Sequence, residues 1–271
     1  MCYRQHVKSA CQLLVLALPM LAFSALGQPL DIRIAFVGAP DSAAHHGALL
    51  GLDEAKVQGE FLGQRYSLAV LEPNLEATSN FTAFVVAAAP EILLRLAERF
   101  PSQPVFNVSQ TADDLRADCH PNLLHVMASD EMRSKAIGQW QQANPEASEV
   151  TARAWHPAFE KYAATQLNKR FEQKYGFTMN DDAWSGWAAV KLLSDMIARS
   201  QTGDGATLLA AIRENLAFDG QKGMDLSFAD TGQLRQPLLL VVGEKLIGEA
   251  PVRGIADVED LDSLISTVCA K

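Results

Sequence analysis

Apolar positions along this chain alternate between two periods. Residues 32–38 (IRIAFVG) form a short apolar run closed by glycine, and the stretch 47–55 then places Leu49, Leu52 and Ala55 at helical spacing, so strand, loop and helix are predicted in that order. A second strand is predicted at 66–71 and a third at 84–88, the latter closing at Ala89-Pro90. Residues 91–100 are apolar at 92, 93, 96, 97 and 100, a helical stripe whose first turn suits Pro90 and Glu91. Further strands are predicted at 104–108 and 123–127. Strands alternating with helices at this spacing imply an α/β fold with a parallel sheet covered on both faces. Ligands of such sheets sit at the carboxyl ends of the strands, here 38–40, 87–90 and 107–111.

Downstream the pattern turns helical. Ser129 is a candidate N-cap for a helix over 130–142, which Asn144-Pro145 stops. A helix is predicted over 156–175, with Phe159, Ala163, Leu167, Phe171 and Tyr175 in a ridge and Gly176 as its end. Asn180 caps the next, whose Trp184, Trp187, Ala188, Leu192 and Met196 share one side, and Asp204 starts another through Leu208, Ile212 and Leu216. The two tryptophans are expected in the core between helices and sheet rather than as the wall of a pocket. From 218 the wording changes again: Gly220, Gly223 and Gly232 supply turns, 226–228 and 238–242 are predicted strands, and Gly243-Glu244 turns into a strand at 245–247.

The amino terminus adds a destination. Arg4 and Lys8 precede an apolar run from 13 to 26, with small residues at Ala25 and Gly27, so residues 1–27 are read as a secretory signal peptide cleaved before Gln28, and the protein is expected to be exported. Pro19 interrupts a run already short of the roughly 20 apolar residues that span a bilayer, so no stable membrane insertion is expected. The chain after cleavage holds 21 Lys and Arg against 32 Asp and Glu, a net charge of -11, which argues against nucleic acid as a partner. Cys119 and Cys269 are the two cysteines left, and an oxidising compartment favours their pairing over two separate buried thiols.

Candidate chemistry is sparse. His45-His46 lies in the predicted first strand-to-helix loop, but adjacent side chains point apart and no third ligand stands at a recognisable spacing, so a solvated loop and no metal are expected. His120 and His125 are read the same way, and His156 is placed just before the start of its helix. Ser109 has Asp113 and His120 near it in sequence without a Gly-x-Ser-x-Gly elbow, so no enzyme is expected. Asn107, Ser109 and Thr111 carry hydrogen-bonding groups at a strand end, where they either close a turn or touch a ligand. With no P-loop, zinc cluster or c-type haem motif, no cofactor is expected.

The helix pair feeding the β unit at 218–248 resembles the carboxyl-terminal end of type I periplasmic binding proteins, the class of branched-chain amino-acid receptors of ABC importers. The stretches ADCHPNLLHVMAS (117–129), AWHPAFEKYAATQLNKRFEQKYG (154–176), GQLRQPLLLV (232–241) and the acidic tail ending near Cys269 resemble a subfamily associated with PQQ-dependent alcohol dehydrogenases. The resemblance implies a solute-binding protein of ABC import or an accessory of periplasmic alcohol (methanol) oxidation. Its implied partners are an ABC permease or a PQQ-dependent dehydrogenase, and its ligand a small solute. It also implies ligand contacts at Ala88, Ala89, Asn107, Ser109 and Thr111, in the loops after the third and fourth strands.

Between Gly138 and Trp155 the pattern departs from that family, because the 17 residues 139–155 cannot hold a second lobe's sheet when one strand-helix-strand unit needs about 30 residues. The expected architecture is a signal peptide (1–27), an α/β lobe (28–138), a reduced and mainly helical segment of a second lobe (139–217), and a β unit with a tail (218–271) returning to the first lobe. The alternative function is a scaffold that binds another protein through the surface a full lobe would cover.

Overall fold

The computed structural model describes residues 29–72, 80–146, 149–266 and 269; the expected signal peptide lies outside them. Five strands, β1 (Leu30–Gly38), β2 (Gln64–Leu71), β3 (Ala83–Ala87), β4 (Val105–Asn107) and β5 (Leu123–His125), form one sheet in the order β2-β1-β3-β4-β5. Every pairing in it is parallel.

The inner strands are buried on both faces, which is why they read as near-continuous apolar runs rather than alternating ones. Ile32, Ile34, Phe36, Val85 and Phe106 pack under helices α1 (Ala43–Leu62) and α6 (Asp181–Ser200). The intervening residues Ala35, Val37, Phe84 and Val86 face the other way, onto Leu93, Leu96 and Phe100 at and just beyond α2 (Pro90–Arg99). Helix α7 (Gly205–Asn215) completes the first layer.

Glycines let α1 and α6 approach closely. A Cβ on Gly47 would strike the Ala183 carbonyl, and one on Gly186 would strike that of Ala44. Trp184 and Trp187 are fully buried, as their spacing predicts.

A second, smaller unit is built from distant segments. Strands β6 (Thr151–Arg153), β9 (Leu238–Val242) and β10 (Lys245–Ala250) make an antiparallel sheet in the order β10-β9-β6, and α4 (Asp130–Ala143) packs on it. A bulge between Leu246 and Gly248 shifts the register, and Gly248 lies so close to Trp140 that a Cβ would stand 2.9 Å from its ring. The stretch 139–217 thus carries a strand, β6, besides its helices. The stretch 218–271 divides: β7 (Ser227–Phe228) and β8 (Leu234–Arg235) pair with each other beside α7, while β9 and β10 belong to the second unit.

The helix expected over 156–175 begins only at α5 (Ala164–Tyr175). Before it, Tyr162 and Ala163 have φ of 52° and 70°, a left-handed conformation that ends any helix started at His156. The Tyr162 ring rests on Gly223, where any side chain would collide with it, so a tertiary contact overrides the local period. The caps at Ser129, Asn180 and Asp204 form as expected, each side chain accepting from the amide three residues on. Among the described residues no helix is long and apolar enough to cross a membrane.

Candidate functional site

The loops that follow β3 and β4 meet at the carboxyl end of the sheet. Gln110 Nε2 donates to the Ala88 carbonyl at 2.9 Å, joining them. Ala88 and Ser109 are half-buried, and Ala89 is exposed as the residue capping α2, whose first turn begins with Pro90.

Asn107 faces inward. Its Nδ2 donates to the Gln110 carbonyl at 2.8 Å and to His125 Nδ1 at 3.0 Å, and its Oδ1 accepts from the amides of Ser109 and Gln110 at 3.2 and 2.8 Å. Both donors and the oxygen are engaged, so of the two roles open at this position the side chain takes the turn-closing one. Thr111 Oγ1 donates to Asp130 Oδ2 at 3.2 Å and the Thr111 carbonyl accepts from the Asp130 amide at 2.9 Å, tying the loop to the start of α4.

Arg116, on the one-turn helix α3 (Asp114–Ala117), was passed over by sequence reasoning and underlies this loop. Its guanidinium is buried and donates to the carbonyls of Gln110, Ala112 and Met127 and to Gln233 Oε1, at 2.6–3.1 Å. Burial pushes it down to about 10, which still leaves it charged at neutral pH. Nothing in the stretch DDLRAD distinguishes it from a solvated arginine.

Across from the loops, the first turn of α4 meets the first turn of α6. Arg133 Nη2 pairs with Asp181 Oδ2 at 2.9 Å, and Asp181 Oδ1 accepts the Trp155 amide at 2.8 Å. Burial, and then the neighbouring Asp181 charge, raise the Asp182 carboxyl, while Arg133 opposes the rise. These groups lie on the carboxyl-end side of the sheet, because α6 starts against the first turns of α1, just past the end of β1.

The histidines depart from expectation. His45 and His46 belong to α1, which starts four residues earlier than its period suggests, and His45 is buried against Phe36 at 4.7 Å between ring centroids. Its pKa is lowered by burial, and the nearby Pro40 carbonyl only partly offsets this. His125 is a β5 residue with almost no exposure, and burial and then the Arg116 charge hold it well below the ordinary histidine range. Neither is a solvated loop residue. Among the described residues no group of three or more His, Cys, Asp or Glu is placed to hold a metal.

Cys119 and Cys269 form a disulfide, with Cα atoms 5.7 Å apart, that ties the tail to the connection between β4 and β5. Asp113, Arg116, Gln233 and Ile265 line a cavity of about 380 Å³ beside it. A second cavity, of about 300 Å³, has Tyr162 and Glu249 on its walls and Lys222 in its floor.

No protein-family model and no curated protein sequence matches the chain. Solved structures do. An amino-acid ABC transporter substrate-binding protein from Pseudomonas fluorescens Pf-5 aligns with a TM-score of 0.69 at 13% identity, over 89% of this chain and 99% of that one. A branched-chain amino-acid ABC transporter periplasmic ligand-binding protein from Burkholderia xenovorans LB400 aligns at 0.67 and 10%, over 80% and 95%. The leucine-binding protein LivK of Thermotoga maritima MSB8 aligns at 0.61 and 12%, over 81% and 98%. With its parallel sheet, its two helix layers and these likenesses, the chain has the fold of the type I periplasmic binding proteins of ABC transporters.

Proposed function

We propose that the protein is an exported, non-catalytic solute-binding component, serving ABC import or acting as an accessory to PQQ-dependent alcohol oxidation in the periplasm. The observation that carries this reading is the join of the β3 and β4 loops, Gln110 to Ala88, which presents Ala88, Ala89, Ser109 and Thr111 together at the strand ends of a type I fold. Asn107 contributes by shaping the loop. Solute-binding neighbours of the same fold support the class of activity, and the leader-like residues 1–27 support the compartment.

A solute resting on these loops alone keeps much of its hydration and binds weakly. Titration calorimetry on the chain from Gln28 onward is expected to give no amino acid or short-chain alcohol a Kd tighter than about 1 μM, roughly -8 kcal/mol. Nanomolar binding that Ser109→Ala abolishes would show a closed site and defeat the weak-binding reading.

The Arg133–Asp181 pair favours a second reading, because charges of the two units already neutralise one another across their boundary. On that reading the strand-end surface docks another protein, such as an ABC permease or a PQQ-dependent dehydrogenase. Co-purification of a defined periplasmic protein, with no solute detected by native mass spectrometry, is the result it expects.

A further inference from the structure

Before β10 the chain passes between the two units three times, at 126–129 on the way to α4, at 153–155 on leaving β6, and at 235–238 on the way to β9, and beyond β10 the tail returns to the larger unit at the Cys119–Cys269 bond. In a two-unit fold, relative rotation of the units is a change of torsions within such crossings. Here all three are tied to one buried side chain.

Lys222 lies on the first-unit side, its Nζ 4.1 Å from the centre of the Trp184 indole. It donates to the Ala154 carbonyl of the second crossing at 2.6 Å, and to Gln236 Oε1 and the Pro237 carbonyl of the third at 2.7 and 3.0 Å. Gln236, itself without exposure, passes the link to the first crossing, donating from Nε2 to the Val126 carbonyl at 2.8 Å. Three donors of one ammonium meet three acceptors, and the indole face covers it as a cation–π partner. Burial pushes the amine down to about 7, with the Asp181 and Glu249 carboxylates acting against burial and the Arg133 charge acting with it, so the three-donor ammonium that fills all three acceptors is the dominant form below that pH.

Turning the units against one another would pull acceptors from a different chain segment off each side of this ammonium. A buried cation left short of partners is costly. A further link crosses the same boundary, where Arg133 of α4 pairs with Asp181 of α6 at 2.9 Å.

We propose that Lys222 pins the three crossings and fixes the angle between the units, so that the surface at the strand ends is preformed and does not close by rotation. This rests on the fold and not on the identity of any solute or partner, and its test needs neither.

The experiment is pulsed dipolar electron resonance on nitroxides attached at Lys56→Cys, on exposed α1, and Glu244→Cys, in the exposed β9–β10 turn, with the native disulfide intact. The otherwise unaltered chain is expected to give one narrow distance distribution. Lys222→Met is expected to lose that single maximum while circular dichroism shows the sheet and helices retained. Gln236→Leu, which keeps the lysine and cuts the link to Val126, is the second variant should Lys222→Met not fold, and is expected to broaden the distribution by a smaller amount. Two or more distances in the unaltered chain, or a single unchanged distance in folded Lys222→Met, would overturn the proposal.

Discussion

The two units hold together by different physics. The five-stranded unit buries apolar strands on both faces beneath tryptophan-bearing α6 and leucine-lined α2, and its helices touch through glycine. The three-stranded unit has one helix and short strands, and Val242 at the end of β9 remains exposed. Its Ala152, Leu238 and Leu240 share one buried cluster with Trp184, and polar and covalent ties add to that contact: Lys222 and Gln236 at the crossings, Arg133 to Asp181, Lys135 Nζ to the Ile265 carbonyl at 2.8 Å, and the Cys119–Cys269 bond. A unit this small cannot bury enough apolar surface to stand alone, so it borrows order from its neighbour. Damage to the larger unit should therefore be global, and damage to the links should be felt first in the smaller one.

The largest effect is expected from Trp184→Ala, which empties a buried core position and removes the indole beneath Lys222. Chemical denaturation should show a loss of about 3–5 kcal/mol in a single transition. Separate unfolding of the two units in this variant would break the comparison from the side of the large unit.

Next comes the disulfide, which closes a loop with a sequence separation of 150. Cys269→Ser is expected to cost about 2–4 kcal/mol. Hydrogen exchange should quicken in β9 and β10 before it does in β1 and β3. Equal acceleration in both sheets would mean that the bond stabilises the chain as a whole and not the attachment of the small unit.

Asp181→Asn leaves Arg133 without its carboxylate at a partly buried boundary, and a loss of about 1–3 kcal/mol is expected by thermal or urea unfolding. Adding Arg133→Met to that variant should recover part of the loss. Independent, additive losses would show that the two side chains do not act as a pair.

The smallest effect is acid sensitivity arising from buried histidines of the large unit. His125 and His45 are kept neutral by burial in the fold, whereas in the unfolded chain they take up protons below about pH 6.5. The unfolded state then binds more protons than the folded one, so this part of the stability is complete above about pH 6.5 and is lost as the pH falls further. Melting temperatures between pH 7.5 and 5 should fall, and His125→Asn should flatten the slope. A slope unchanged by that substitution would move the sensitivity to other groups.

Much of this was present in local patterns. The strands at 66–71, 84–88 and 238–242 and the caps Ser129, Asn180 and Asp204 were legible because each depends on neighbours within four residues, where period and hydrogen-bonding type are visible. The pairing of two distant cysteines was legible for another reason, that only two lie beyond residues 1–27. The start of α5 was not, because Tyr162 leaves the helix to rest on Gly223, sixty-one residues away in the chain.

The candidate site divides the same way. Its place followed from the order of strands, since ligand-bearing loops of a parallel sheet gather at the carboxyl ends. The roles of its residues did not follow, because Asn107 is equally suited to a turn or a ligand until His125 and Gln110 are seen to occupy it. By itself the sequence determined the alternation of elements, the class of fold and the position of the strand ends, all set by spacing along one chain. Only the tertiary structure decided that Arg116 and Lys222, written like solvated residues, lie buried at the meeting points of remote segments. Burial of a charge depends on partners that folding alone brings together, and those partners stand up to 117 residues from Arg116 and 68 from Lys222.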